Sequence, residues 1–289
     1  MTTRVQGEGE KSMAKHLIKG SVAALSFVLV SACCTPPAAA PEAALAPPAE
    51  AAPAPEPVAV AATPDYSVFV DTPDRPDADI VADVNRKPAA VLGLFSPQPG
   101  DTILEIEAGG GYYTEILSRA VGPTGTIYMQ NPAGFDAFLG DTVTKRLEGR
   151  LTNVTYLKSN FDAFAVADGE ADIVTWFQGP HELWYIPEDQ PEGFGEPAAV
   201  FAEIARALKS GGQFVVIDHA APAGSPETTG GDTHRIDPAI IRTYAAAAGL
   251  VFETGSDLLL NPADDGTKNV FDPEIRGHTS QAILIFRKP

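Results

Sequence analysis

Two rhythms of apolar and polar residues run through the chain from about residue 78 onward, and the switches between them predict its elements. Short apolar runs bounded by Gly, Pro or Asp predict strands at about 102–106, 125–130, 154–157, 172–177, 213–218, 251–256 and 280–287. Apolar residues returning every three or four positions predict helices at about 78–94, 112–120, 133–147, 197–208 and 238–248. Asp237-Pro238 marks one helix start, an N-cap followed by a proline at the first helical position. Strands alternating with helices predict an α/β fold around a mostly parallel sheet covered on both faces. Ligands of such sheets bind beyond the carboxyl ends of the strands. Those ends read Glu107-Ala-Gly-Gly-Gly111, Gln130-Asn131, Gln178-Gly-Pro-His181-Glu182 and Asp218-His219.

The first of these ends stands out. The apolar strand Thr102 to Ile106 runs into Gly109, Gly110 and Gly111, and an amphipathic helix follows with Tyr113, Ile116, Leu117 and Ala120 on one face. This strand, glycine turn, helix, strand unit suits a nucleotide-like ligand at a helix N-terminus, because glycine lets the backbone approach the ligand. A tight turn in an ordinary α/β domain has the same look. A phosphate-cradling loop would need Gly-Lys-Ser/Thr, but Tyr112-Tyr113-Thr114 follows Gly111; a dinucleotide fingerprint would need glycine where Thr114 stands.

The stretch Glu105-Ile-Glu-Ala-Gly-Gly-Gly111 resembles motif I of the class I S-adenosylmethionine-dependent methyltransferases, with Glu105 as the acidic residue of the first strand. The resemblance extends over most of Ala78 to Pro289. Ala171 to Phe177 is similar to the family's fourth strand. Ala207-Leu-Lys-Ser-Gly-Gly-Gln-Phe-Val-Val-Ile-Asp218 is similar to its Leu-Lys-Pro-Gly-Gly turn and fifth strand, and Gln281 to Pro289 to its closing antiparallel strand. The wording of the glycine turn, the Asp218-His219 pair and the final Phe-Arg-Lys-Pro resemble a group of predicted bacterial methyltransferases. The resemblance implies a Rossmann-like sandwich, a seven-stranded mostly parallel sheet with an antiparallel last strand and helices on both faces. It implies S-adenosylmethionine as cofactor. Its amino acid part would sit on Glu105, Gly109, Gly110 and Gly111, its ribose on Asn131, and its adenine near Asn160 to Asp162. Two positions depart from the pattern. Glu107 stands where the family usually has a glycine, and its carboxylate would face the cofactor's own. Asn131 replaces an acid and is a weaker acceptor than a carboxylate.

The N-terminus carries a different signal. Lys11, Lys15 and Lys19 precede an apolar run from Ser21 to Ala32, about 12 residues and too short to span a bilayer. The run fits the h-region of a secretory signal, and Met13 opens an alternative start. Val30-Ser31-Ala32-Cys33 resembles a bacterial lipobox, which implies lipidation at Cys33, with Cys34 the alternative; an ordinary signal peptide is the other reading. Residues 34–64 are nearly all Ala, Pro and Glu and cannot bury a core, so they predict an extended tether of about 3.1 Å per residue, roughly 90 Å for 30 residues. The expected organisation is therefore a signal peptide over 1–33, a linker over 34–64 and one domain over 65–289, held on the periplasmic side of a bacterial membrane, the outer membrane by preference.

Composition narrows the partners. The formal net charge is -18, and removal of the leader makes it more negative still. Such a surface repels phosphate backbones and anionic lipid, so no nucleic acid is expected and membrane contact is expected through a lipid anchor only. The two cysteines both lie at the cleavage point, so the domain offers no disulfide, thiolate metal site or cysteine nucleophile.

His181, His219 and His234 fall on the predicted ligand rim with Glu182, Asp218 and Asp232 beside them. His181 and His219 are the candidate catalytic bases. A His/carboxylate metal site for hydrolysis is the alternative, but no compact His-Glu-x-x-His spacing occurs and no metal ligand is assigned. Polar loop residues satisfied by backbone would look the same. Trp176, Trp184 and Tyr185 suit an acceptor pocket, adenine stacking or core packing equally. The leading expectation is methyl transfer to a small or envelope-associated acceptor. An exported protein that keeps the fold as a non-catalytic binding or sensing domain is the runner-up, and a metal-dependent hydrolase the third.

Overall fold

The computed structural model describes residues 64–188 and 190–289. The signal peptide, Cys33 and nearly all of the tether lie outside the described residues. Helices α1 (Ser67–Val70), α2 (Asp77–Arg86) and α3 (Pro88–Phe95) precede strand β1 (Thr102–Ile106). Then come α4 (Tyr112–Val121), β2 (Thr126–Asn131), α5 (Asp136–Leu139), α6 (Thr142–Leu147), β3 (Val154–Lys158), β4 (Ala171–Phe177) and α7 (Pro197–Ala207). The chain closes with β5 (Leu208–His219), α8 (Thr229–Thr233), α9 (Pro238–Ala247), β6 (Val251–Ser256) and β7 (Gln281–Arg287).

The strands form one seven-stranded sheet in the order β3-β2-β1-β4-β5-β7-β6. β7 runs antiparallel to both β5 and β6, and the other pairings are parallel. This is the Rossmann-like sandwich that the sequence predicts. The order reverses at β1, whose neighbours are β2 and β4, so the crevice beyond β1 is the switch point where ligands enter such sheets.

Strand residues alternate between two apolar layers. Leu104, Ile106, Val174, Trp176, Phe214 and Val216 pack with α7 and α9 on one face. Ile103, Ile173, Val215 and Ile217 pack with α3 and α4 on the other. Because both faces are covered, the central strands read as near-continuous apolar runs, interrupted inside the sheet by Glu105 and Thr175. The Asp237 cap works as the sequence suggests, accepting from the Ala239 N–H at 2.9 Å, and Glu196 caps α7, accepting from the Ala199 N–H at 3.1 Å.

Two predicted helices are broken. The helix expected at 78–94 stops at Lys87, which is left-handed at φ 46°, and restarts at Pro88. Proline disfavours the helical conformation in the residue before it, a local veto that apolar periodicity does not reveal. The helix expected at 133–147 breaks at Gly140 into a 3-10 turn (Ala133–Phe135), α5 and α6.

Helix α2 is seated by charge. Asp79 is its one buried residue, while Ile80, Val81 and Val84 are exposed. Asp79 accepts from Arg146 at 2.7 Å, and Asp83 pairs with the buried Arg75 at 2.7 Å and accepts from the Tyr112 hydroxyl at 2.5 Å. The Arg86 guanidinium lies 4.4 Å over the Tyr112 ring.

Candidate active site

A cavity of about 820 Å³ opens beyond the carboxyl ends of β1 and β4. Glu105, Gly109 and Gly110 line one end, with Asp79 and Arg86 above them from α2. Phe135, Phe138 and Phe194 line a side wall, and Glu182, Tyr185 and His234 the far end.

At the glycine-turn end, Gly109 adopts φ 55° and Gly111 φ 84°. A β-carbon at Gly111 would also fall 2.9 Å from Arg146 Cδ, so both shape and space require glycine there. At Gly109 a β-carbon would meet open space, so this stretch of backbone is free to be approached. Arg146 roofs the turn: it donates to the Gly110 carbonyl at 2.7 Å and pairs with Asp79 and Glu115, each at 2.7 Å. Arg119 and Arg150 complete the shell around the fully buried Glu115, at 2.5 and 2.6 Å.

Glu105 is buried, and its carboxyl accepts from the Thr114 hydroxyl at 2.5 Å. Burial pushes its pKa up to about 8, although the Thr114 bond and the Arg146 charge pull the other way. Glu107 stands at φ 54°, left-handed for a residue with a side chain. Its carboxyl accepts from Trp176 Nε1 at 2.8 Å. Enclosure, then the nearby Glu182 charge, raise its pKa well above the usual carboxylate range. The carboxyl that the resemblance sets against the cofactor is thus engaged by Trp176. Gly179 makes room for this contact, since a β-carbon there would lie 2.0 Å from Glu107 Oε2 and 2.1 Å from Trp176 Nε1.

At the other end a 3-10 turn (Pro180–Trp184) follows β4 and carries His181 and Glu182. Asp218, at the end of β5, receives the His181 backbone N–H at 2.8 Å and contacts His181 Nδ1 at 2.7 Å. It also accepts from the His219 backbone N–H at 2.7 Å. Burial opposes charge on His181, but the Asp218 carboxylate, with Glu182, pushes its pKa up to about 10. Burial opposes charge on Glu182 as well, yet hydrogen bonds from His181 and His234 hold it down to about 2. His219 goes the other way: burial, then the His181 cation, lower its pKa well below normal. Its Nδ1 contacts the Thr279 hydroxyl at 2.6 Å.

The structure therefore brings Glu105, Gly109 and Gly110 to the cavity wall, with Gly111 packed behind them under Arg146. Asn131 lies behind the turn. Fully buried, it accepts from the Gly109 N–H at 2.8 Å and donates to the Gly109 carbonyl at 3.0 Å. Asn160 and Asp162 are exposed and do not line the cavity. His181 and His219 stand with ring centres 5.8 Å apart just behind its wall. Trp176 is core, Trp184 bonds Glu227 at 3.2 Å, and Tyr185 lines the cavity. Reasoning from the sequence missed Asp79, Arg86 and Arg146. Arg146 left a trace: it falls three residues after Val143, and both are buried, so a cation sits at an apolar position of its helix.

Residues 104–216 match the family model described as a methyltransferase domain. The ubiquinone/menaquinone biosynthesis C-methyltransferase UbiE of Shewanella halifaxensis is 27% identical over 131 residues, 43% of this chain and 45% of that protein. The UbiE of Erwinia tasmaniensis is 24% identical over 67% of this chain and 81% of its own length. The chain thus spans about half the length of the first of these curated relatives. Among solved structures, a SAM-dependent methyltransferase from Aquifex aeolicus superposes with a TM-score of 0.51 at 18% identity, covering 77% of this chain and 97% of that one. Geranyl diphosphate C-methyltransferase from Streptomyces coelicolor, solved with Mg2+, geranyl diphosphate and S-adenosyl-L-homocysteine, gives 0.52 at 14% identity over 78% and 88%. Residues 104–216 thus resemble a methyltransferase domain, and the fold is shared with these solved methyltransferases.

Proposed function

We propose that this chain is an S-adenosylmethionine-dependent methyltransferase acting on a small acceptor with an apolar body. The observation that carries the reading is one cavity running from the bare Gly109-Gly110 backbone to the Glu182 and His234 side chains. It is large enough for a ligand of drug-like size and for part of a second. The residues fit the cofactor. The Gly109 backbone is open, the Asp79 carboxyl suits its cationic groups, and Arg86, which forms no ion pair among the described residues, suits its carboxylate. When bound, the cofactor supplies a methyl group activated by a positively charged sulfur. The chain's task is then to align the acceptor and exclude water. Phe135, Phe138, Phe194 and Phe271 give the acceptor side an aromatic wall, which favours a flat or isoprenoid-like molecule. Relatives named for ubiquinone and menaquinone biosynthesis and a neighbour solved with geranyl diphosphate support an acceptor of that kind.

Calorimetric titration of S-adenosylmethionine and S-adenosylhomocysteine into the full chain tests the reading. Micromolar binding is expected; no binding at millimolar ligand would return the fold to the runner-up, a non-catalytic binding domain. The same proposal places the protein outside the cytoplasm on a lipid anchor at Cys33, supported by the Val-Ser-Ala-Cys sequence alone. Labelling with radioactive palmitate should mark the wild type and not Cys33→Ser; equal labelling would remove the anchor from the proposal.

A further inference from the structure

We infer that His181, Glu182 and His234 form a binding site for one divalent transition ion of the zinc class, with its free coordination positions open to the cavity. Their ligand atoms all lie within 4.8 Å of one another. One carboxylate oxygen, Glu182 Oε1, stands 3.2 Å from His181 Nε2 and 3.1 Å from His234 Nδ1. Ligands bound at about 2.0–2.1 Å around a tetrahedral ion are separated by about 3.3 Å. Two of the three separations thus already match a tetrahedral edge, and the third, between the two imidazole nitrogens, is within 4.8 Å, so an ion enters as the rings close on it. Two histidines and a glutamate are a donor set that holds a catalytic ion while leaving room for water or substrate.

Three further features point the same way. A histidine that ligates a metal through one ring nitrogen usually gives the other to a carboxylate, which fixes ring and tautomer. Asp218 does this for His181 at 2.7 Å, and is itself held by the His181 and His219 backbone N–H groups. His234 adopts φ 54° at the end of α8, a strained conformation that delivers its ring to Glu182. And α8 docks on the turn that carries His181 through glycine: a β-carbon at Gly230 would fall 2.4 Å from the His181 carbonyl oxygen, and one at Gly231 2.6 Å from that of Trp184. Glycine at both positions thus lets α8 press directly on the backbone that carries His181.

Glu182 and His234 line the cavity, so the remaining coordination positions face the acceptor end. This rests on the reading of that end as the acceptor's. The ligand class is an acceptor carrying a hydroxyl. On binding the ion its O–H bond breaks, the proton leaves to solvent water, and the oxygen keeps the electron pair as a metal-stabilised oxyanion.

The test uses the full chain, stripped with a chelator and titrated without cofactor: Zn2+ by calorimetry, and Co2+ by its visible d–d absorption. One ion per chain is expected, with Co2+ bands of a low-symmetry site. Glu182→Gln and His234→Ala should each weaken binding at least about 10-fold, and Asp218→Asn, a positioning change, by about 10–100-fold. Asp232→Asn, beside the site but exposed, should leave affinity unchanged. No stoichiometric uptake, or wild-type affinity in both Glu182→Gln and His234→Ala, overturns the inference. If His234→Ala fails to fold, the isosteric Glu182→Gln decides alone. Cofactor binding without metal uptake would sink the metal site and leave the methyltransferase reading standing; metal uptake without cofactor binding would do the reverse.

Discussion

At the glycine-turn end of the cavity most wall residues come from one unbroken stretch, Glu105 to Tyr113; at the histidine end the wall and the side chains behind it come from separate segments around residues 182, 218 and 234. The first end is roofed by ion pairs, Arg146 with Asp79 and Glu115. The second is closed by backbone contact at glycines and by left-handed residues. A local turn carries its geometry wherever the strand and helix form. An assembled corner exists only when every supporting segment is in place, and so it depends on distant glycines as much as on its own side chains.

Substitutions can pull the two ends apart. The largest effect is expected at Arg146. Arg146→Ala leaves Asp79 and Glu115 buried without their shared partner, and breaking a buried pair this way costs about 3–5 kcal/mol. Denaturant unfolding should show the loss; a change below about 1 kcal/mol would mean that Arg119 and Arg150 suffice for Glu115. Gly179→Ala should cost about 1–3 kcal/mol, by forcing Glu107 and Trp176 apart. Tryptophan emission should shift with it, and an unchanged spectrum would show that the corner can relax.

Glu105 gives a pH signature to the glycine-turn end alone. Its folded pKa, about 8, lies above the ordinary 4.5 of an unfolded chain. Between those values the folded state holds a proton that the unfolded state has released, so stability falls as pH rises through this window. Glu105→Gln should flatten that slope, gaining about 4 kcal/mol over the wild type at pH 8 relative to pH 4. Parallel wild-type and variant curves would show that Glu105 ionises freely. The smallest effect is expected at Asn131. Asn131→Asp exchanges the donor to the Gly109 carbonyl for a second acceptor and should cost about 1 kcal/mol. Were Asn131 instead the ribose contact that the resemblance implies, the acid would tighten cofactor binding without loss of stability.

The same contrast explains what could be read in the sequence. Thr102–Ile106 and Tyr112–Val121 were legible because apolar periodicity and glycine punctuation are local, and both are set by chain neighbours. The breaks at Lys87 and Gly140 were hidden because the apolar spacing continues across them. His181, Glu182 and Asp218 could be named as rim residues from the ends of strands, and His234 from the loop before the helix at Pro238. Their pairing could not be read, because it depends on α8, whose five residues are too short to show a period. Asn131 was visible as a strand end, but not that Gly109 would take up its polar atoms.

Helix α2 turns the usual logic of a surface helix inside out, with Asp79, Asp83 and Arg86 toward the protein and Ile80, Val81 and Val84 toward solvent. Greasy contacts tolerate sliding, since one methyl serves nearly as well as the next. Charge contacts do not: rotating or sliding α2 by one residue would strand Arg75 and Arg146 beside empty space. The helix that covers the cavity thus has a single address on the domain, and its seat is chosen for accuracy more than for grip.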